Sequence, residues 1–499
     1  MPFGTFKAFL FKYRVQLGLI FCLLVTAFFS TYKLTESPKT WFDEGIFTQI
    51  ARNFVTERSY VMRASPTEFV PTSVLATTGF PVMVPVAMSF SLLGVGLLQA
   101  RIVMVFFILA MTIAVFFFVR SVWGFRLAMV STLLIATHAP VYGNGKNVLG
   151  EVPGLFFFFV FLYFFHRLEQ ERGVKISAWV GTGFFSAMFM VTKPNFLALA
   201  PVLLLVALIF RKRITWTTKT FLAGAFAGLL PFVMYSLTQF GFTVSPATIF
   251  GSYANMPGLE QITGLTMPAL IKRNLLLFVQ QSTPAYLLVT FGVWTSYLGI
   301  RLLRKTRIQL HEMTAYGVAL LTIAYFLKMP GFFRYLFVAQ VITFPYFVPA
   351  CREWISIFFS SHVTVRKSAQ LALMIALALL ISFQTYQVLF SSWVAGYYQN
   401  TRTQELTQYF DALDPSKSVF FYHVPEMIVF FHGENYFQFF ELLYFQDAFG
   451  KDQLVQLQEG VPDLVFVAEA ERSQAEPYLT QYAERGMLDR GNYLIYERK

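Results

Sequence analysis

Residues 101–119 read RIVMVFFILAMTIAVFFFV, one charge followed by an unbroken apolar run. At about 1.5 Å per residue, a helix of that length reaches across most of a hydrocarbon layer roughly 30 Å thick. Similar runs recur from residue 15 to about residue 390 in a chain that is 56% hydrophobic, only 13% charged, and contains 60 Phe. A soluble domain is typically about one quarter charged. The pattern predicts an all-α polytopic membrane protein. About eleven transmembrane helices are expected, at roughly 15–35, 101–119, 126–143, 152–166, 177–193, 195–210, 220–240, 284–300, 313–328, 333–350 and 369–391.

Charge divides the chain. Residues 1–395 carry 31 Lys+Arg against 11 Asp+Glu, and residues 396–499 carry 8 against 16. The shift near Gly396 predicts a membrane domain over 1–395, with external loops at 36–100 and 241–283, followed by a small α/β domain over 396–499. In that domain 418–423, 463–469 and 492–498 read as strands, and 426–431, 438–447 and 471–485 as helices. It has no Gly-rich phosphate loop, so acceptor binding and structural capping both stay open for it. The net charge of +12 comes from basic loops suited to membrane lipids and implies no nucleic-acid partner. Cys22 and Cys351 stand alone, with no metal-ligand spacing. Lys7, Lys12 and Arg14 precede the run 15–29 with no small-residue cleavage site after it, which favours an uncleaved first span.

The basic stretches 7–14, 120–126, 167–175, 211–219, 301–307 and 352–367 hold 19 Lys and Arg. All six face the cytoplasm if the eleven helices cross and the apolar stretch 80–98 does not. Gly79, Pro81, Pro85, Gly94 and Gly96 interrupt that stretch, which suits a segment lying along the interface or dipping in and returning. Asp43, Glu44, Glu151, Lys193, Lys328, Arg334 and the C-terminal domain then share the external face.

Asp43, in WFDEG (41–45), is the sole aspartate of the first 410 residues, with Glu44 beside it. Charge near lipid is costly and persists where it has a partner or a chemical task, so Asp43 is the leading candidate for catalysis. Glu151 is the one acid between Glu68 and Glu169. It reads either as a favourable helix N-terminal charge or as a second carboxylate of the site, binding acceptor or metal. Lys193, in VTKPN, is either a snorkelling lysine or a phosphate ligand. Arg334 and Tyr335 begin an apolar helix. An arginine there opposes the helix dipole, so a compensating anion is expected, and a phosphate suits. The alternative is an interfacial anchor. Residues 268–280 read as a surface helix, and Tyr253 and Asn255 as residues within reach of substrate. Phe runs such as 156–165 are packing first, and a groove for an isoprenoid tail second.

An Asp-Glu opening the first external loop, a broken apolar segment, an ARxV start to the next span, a loop ending in Glu, a mid-chain TKP and a late RYL helix occur here in that order. Over about residues 10–395 the chain resembles the GT-C superfamily of polyprenyl-phosphate-sugar-dependent glycosyltransferases. It looks closest to the bacterial branch related to protein O-mannosyltransferases and lipid A aminoarabinose transferases. The resemblance implies Asp43 as catalytic base, Glu151 as the second-loop acid, and Lys193 and Arg334 as ligands of the lipid phosphate. It further implies a place in the inner (plasma) membrane with an extracytoplasmic active site. The second loop carries a single acid rather than an acidic pair, so a divalent cation is possible without being required.

The expected function is therefore inverting transfer of a hexosyl or pentosyl group from a polyprenyl-phosphate-linked monosaccharide to a lipid, glycan or protein hydroxyl. Asp43 acts as base, Glu44 orients it or binds acceptor, and cations stabilise the leaving phosphate. A lipid-linked sugar flippase or transporter is the rival reading, and it predicts mid-membrane ionisable residues and internal repeats. A membrane scaffold would have no reason to gather these charges on one face.

Overall fold

A computed structural model describes residues 3–71, 78–170, 175–210, 213, 216–240, 264–329, 331–360, 363–441 and 448–499. Tyr253 and Asn255 lie outside the described residues, as does most of the expected loop 241–283. Helices occupy all eleven expected positions, and the protein is a multi-pass membrane protein. By length and composition, however, seven described helices are suited to crossing, or eight if one bent pair counts as a span. Length and composition alone do not confirm the count of eleven. Ile176–Thr192 and Pro194–Phe210 are short, and Arg334–Phe358 carries Arg334, Gln340, Pro345 and Pro349 within its apolar stretch. The expected span 126–143 is two helices, Phe125–Ala136 and Ala139–Gly145, bent by 59° at Thr137–His138. Pro140 sits in the first turn of the second, where its missing N–H costs nothing but where it cannot continue a helix from before.

Two further helices lie between the first two expected spans. Helix α1 (Phe42–Thr56) is amphipathic and follows the first span. Helix α2 (Phe80–Leu93) is the interrupted apolar stretch, and its 14 residues cover about 21 Å, too short for a straight crossing. The two pack together around Ile46, Phe47, Ile50, Val82, Met83 and Val86. The main helix core is aromatic. Phe158, Phe159, Phe161, Trp294 and Tyr346 are wholly or almost wholly buried, so these Phe and Trp serve helix packing.

The C-terminal domain is a six-stranded mixed sheet in the order β3-β2-β1-β4-β6-β5. The strands are β1 (Val419–Tyr422), β2 (Tyr436–Glu441), β3 (Ala448–Phe449), β4 (Leu464–Ala468), β5 (Tyr482–Leu488) and β6 (Tyr493–Arg498). The three expected strands are β1, β4 and β6. Two expected helices are not found. The 438–447 segment begins as β2, paired parallel with β1 in the register Val419↔Tyr436, and 442–447 lie outside the described residues. A continuous apolar run suits a buried strand as well as a buried helix, and here the free edge of β1 decides. The 471–485 segment is short turns of helix through Tyr478, followed by the charged edge strand β5. The expected helix 426–431 is a 3-10 helix, Pro425–Phe430.

Candidate active site

Asp43 lies in the first turn of α1, where the helix dipole favours an acid. Its carboxylate forms an ion pair with Arg334 Nη1 across 291 residues of sequence. That carboxylate is the anion an arginine at the first position of a helix requires. The Arg334 guanidinium also lies 5.6, 5.7 and 5.4 Å from the ring centres of Trp41, Phe332 and Tyr335. These faces orient the cation as the carboxylate holds it.

Behind this pair is a second. Glu151, fully buried in the first turn of helix Glu151–Gln170, accepts from Lys193 Nζ at 2.5 Å. Lys193 is the extended residue between Ile176–Thr192 and the 3-10 turn Pro194–Ala198, which turns its side chain back into the bundle. The pairs form one electrostatic unit. Burial pushes the Asp43 carboxyl upward, but Arg334 and then Lys193 outweigh it and hold the group below the usual carboxylate value. Glu151 acts on Arg334 in turn. Arg334 Nε and Glu151 Oε2 are buried polar atoms without hydrogen-bond partners, the mark of a site with capacity for another polar group.

Glu44 is the departure from expectation. Adjacent helix positions point about 100° apart, so Glu44 turns into the protein where Asp43 faces outward. Its carboxylate is gripped by Arg101 through Nε at 2.9 Å and Nη2 at 2.7 Å, and both side chains are wholly buried. Arg101 also donates to the carbonyls of Leu34 and Pro38 and to Asn147 Oδ1, and Glu44 accepts the Val148 N–H. All three guanidinium nitrogens and both carboxylate oxygens have hydrogen-bond partners. It ties together the turns after the first span, α1, the helix Leu97–Trp123 and the loop before Glu151, and it leaves Glu44 no oxygen without a partner. Only the ARxV pattern hinted at Arg101; its partner was not readable.

Asp43 and Arg334 line a cavity of about 1230 Å³ between the helices and the C-terminal domain. Glu151, Lys193 and Tyr335 are not among its lining residues. Tyr335 is core, packed edge-on against Tyr325 at 5.4 Å, and serves the site through its ring beneath Arg334. The helices contribute Tyr286, Leu380 and Phe383 along with polar His138, Gln340 and Gln384, and the C-terminal domain contributes His423, Glu426, Glu441, Glu471 and Tyr493. That domain grips α1 directly. Arg52 donates to the carbonyls of Phe431 and Gly433 at 2.8 and 3.0 Å, and Gln49 bonds Tyr436 and Gln438 at 2.9 Å each. Gly45 is required by the close approach, since a Cβ there would sit 2.4 Å from the backbone of Glu426. Among the described residues no three His, Cys, Asp or Glu side chains are placed to hold a metal ion. Asp43 and Glu151 are each held by a cation, so the acids as arranged do not form a divalent-cation site, and no step is drawn through one.

The fold is GT-C, as the resemblance in sequence implied. Residues 81–236 match the family described as dolichyl-phosphate-mannose-protein mannosyltransferase. ArnT from Cupriavidus metallidurans, in a crystal structure bound to undecaprenyl phosphate, superposes with a TM-score of 0.60 at 13% identity, over 96% of this chain and 97% of that one. The Archaeoglobus fulgidus oligosaccharyltransferase, tethered to an acceptor peptide, gives 0.58 at 10% identity over 99% and 75%. The oligosaccharyltransferase AglB from Archaeoglobus fulgidus, in complex with an inhibitory peptide and a dolichol-phosphate, gives 0.53 at 10% over 98% and 75%. No curated protein sequence is significantly similar to the chain.

Proposed function

We propose that this protein transfers a monosaccharide from a polyprenyl-phosphate carrier to an acceptor hydroxyl at the extracytoplasmic face of the inner (plasma) membrane. The observation that carries the reading is the Asp43–Arg334 pair on the wall of a cavity that the helices and the C-terminal domain line together. The prenyl chain enters among the helices, and its phosphate takes Arg334, with Lys193 behind it. Phosphate competes with carboxylate for a guanidinium because both accept the same forked hydrogen bonds. Donor binding thus draws Arg334 from Asp43 and leaves the carboxylate free to accept a proton. In the resting pair the same carboxylate is a weak base.

The acceptor oxygen then forms a bond to the anomeric carbon as the anomeric C–O bond to phosphate breaks. The bonding electrons leave on the polyprenyl phosphate, the hydroxyl proton passes to Asp43, and configuration inverts. Arg334 and Lys193 stabilise the charge on the departing phosphate, an effect worth several kcal/mol at a site shielded from water. Purified protein supplied with radiolabelled polyprenyl-phosphate sugars tests the reading. Turnover by the wild type that collapses in a folded Asp43→Asn variant supports it; equal turnover in both removes Asp43 from catalysis.

A further inference from the structure

The cavity wall built by the C-terminal domain carries chemistry that the transfer step itself does not use. His423 lines it with a backbone φ of 58°, the left-handed region a residue with a side chain seldom occupies. Strain of that kind collects where a side chain must be aimed. Its N–H donates to the Phe439 carbonyl at 2.8 Å, and its Nε2 accepts the Glu441 N–H at 2.8 Å. An imidazole accepting at Nε2 carries its proton on Nδ1, so the ring keeps one donor. The ring lies 6.3 Å from that of Phe42, the residue before the catalytic aspartate.

Around His423 the wall is acidic. Glu426 Oε1 accepts from the Tyr493 hydroxyl at 2.9 Å, and its Oε2 is buried without a partner. Burial raises the Glu426 carboxyl despite Arg402 beside it. Glu441 and Glu471 both act electrostatically on His423, and neither is in an ion pair among the described residues. Among the described residues of this wall the cation is Arg402, which is ion-paired with Glu426 and Asp489 and hydrogen-bonded to the Tyr493 hydroxyl. Lys39, from the loop before α1, lines the same cavity and acts electrostatically on Glu426.

We infer that this wall is an acceptor subsite for a neutral, hydroxyl-rich group, a glycan without phosphate, held by Glu426, Glu441 and Glu471 with His423 as a single donor. The inference rests on the glycosyl-transfer reading above. Carboxylates accept hydrogen bonds from sugar hydroxyls, and a charged acceptor strengthens each one. A phosphate on the acceptor would meet three carboxylates against Lys39 alone, which opposes it. The glycan hydroxyl nearest Phe42 is the one placed to attack, and its proton goes to Asp43.

The test is saturation-transfer NMR on the full-length protein in lipid nanodiscs, with maltose, lactose and chitobiose as neutral probes and maltose 1-phosphate as the charged one. At least one neutral disaccharide is expected to bind tenfold or more tightly than maltose 1-phosphate. Glu471→Gln should weaken that binding about tenfold. His423→Gly keeps the left-handed backbone and removes the donor, and should weaken it similarly. Equal or tighter binding of maltose 1-phosphate overturns the proposal, as does a neutral series that fails to bind or is indifferent to both variants. Undecaprenyl phosphate binding, measured on the same sample, separates the two levels. If it binds while the sugars do not, the subsite alone falls; if it fails to bind, the transfer reading and the subsite fall together.

Discussion

Glu44→Gln keeps the shape of the side chain and removes its charge, leaving the Arg101 guanidinium wholly buried without a counter-ion. Breaking one side of a buried pair costs about 3–5 kcal/mol, because the surviving charge stays out of water uncompensated. Against a typical stability of about 5–15 kcal/mol this is a large fraction. At about 2 °C per kcal/mol, the unfolding midpoint should fall by on the order of 5–10 °C. Arg101→Gln should cost at least as much, since the Leu34 and Pro38 carbonyls and Asn147 also lose their donor. The double variant should lose less than the sum, with a coupling of roughly 1–3 kcal/mol. Tryptophan-monitored thermal unfolding in detergent measures all three. Residual turnover at a temperature where the variant is folded should remain, because Glu44 has no free oxygen for the reaction. A Glu44→Gln protein with a wild-type midpoint and no turnover would refute the structural role and return Glu44 to catalysis.

Asp43→Asn should keep the fold and lower transfer by about 10²–10⁴, measured as kcat with labelled donor. The pH profile follows from the sign of the Asp43 shift. Its carboxyl is held below the usual value by Arg334 and Lys193, so the pair's contribution to stability is complete above the ordinary carboxylate range. It is lost only as pH falls through the lower folded value, and the acid limb of kcat/KM should likewise lie below that range. Gly45→Val should abolish transfer while leaving the helices inserted, because its side chain collides with the Glu426 backbone and lifts α1 from the C-terminal domain; circular dichroism with an activity assay checks both. A cysteine placed at Arg485, about half exposed, should react with a membrane-impermeant maleimide from outside the cytoplasm. Labelling only after membrane disruption would reverse the proposed orientation.

Much of this site could be read because charge is rare in the chain. Asp43, Glu151, Lys193 and Arg334 stand out where most neighbours are apolar, and the expense of burying each implied a partner or a task. What composition could not supply was the pairing. Arg334 was expected to await a phosphate, and in the resting protein its anion is Asp43. Glu44 was grouped with Asp43 by adjacency, but the helix sends neighbouring side chains in different directions. The acidic wall was invisible for another reason. His423, Glu426, Glu441 and Glu471 look like ordinary surface residues of an acidic domain until the sheet and the close contact at Gly45 set them across from α1.

The sequence by itself determined the membrane class, the positions of the helices, the broken segment at 80–98 and three strands of the C-terminal sheet. Each follows from local hydrophobic length and period, which a bilayer or a buried strand imposes residue by residue. The tertiary structure decided which carboxylate faces the cavity, that Arg101 locks the other away, and that 438–441 belong to a strand. Those outcomes depend on helix phase, on vacant strand edges and on partners hundreds of residues distant, and no local pattern carries that information.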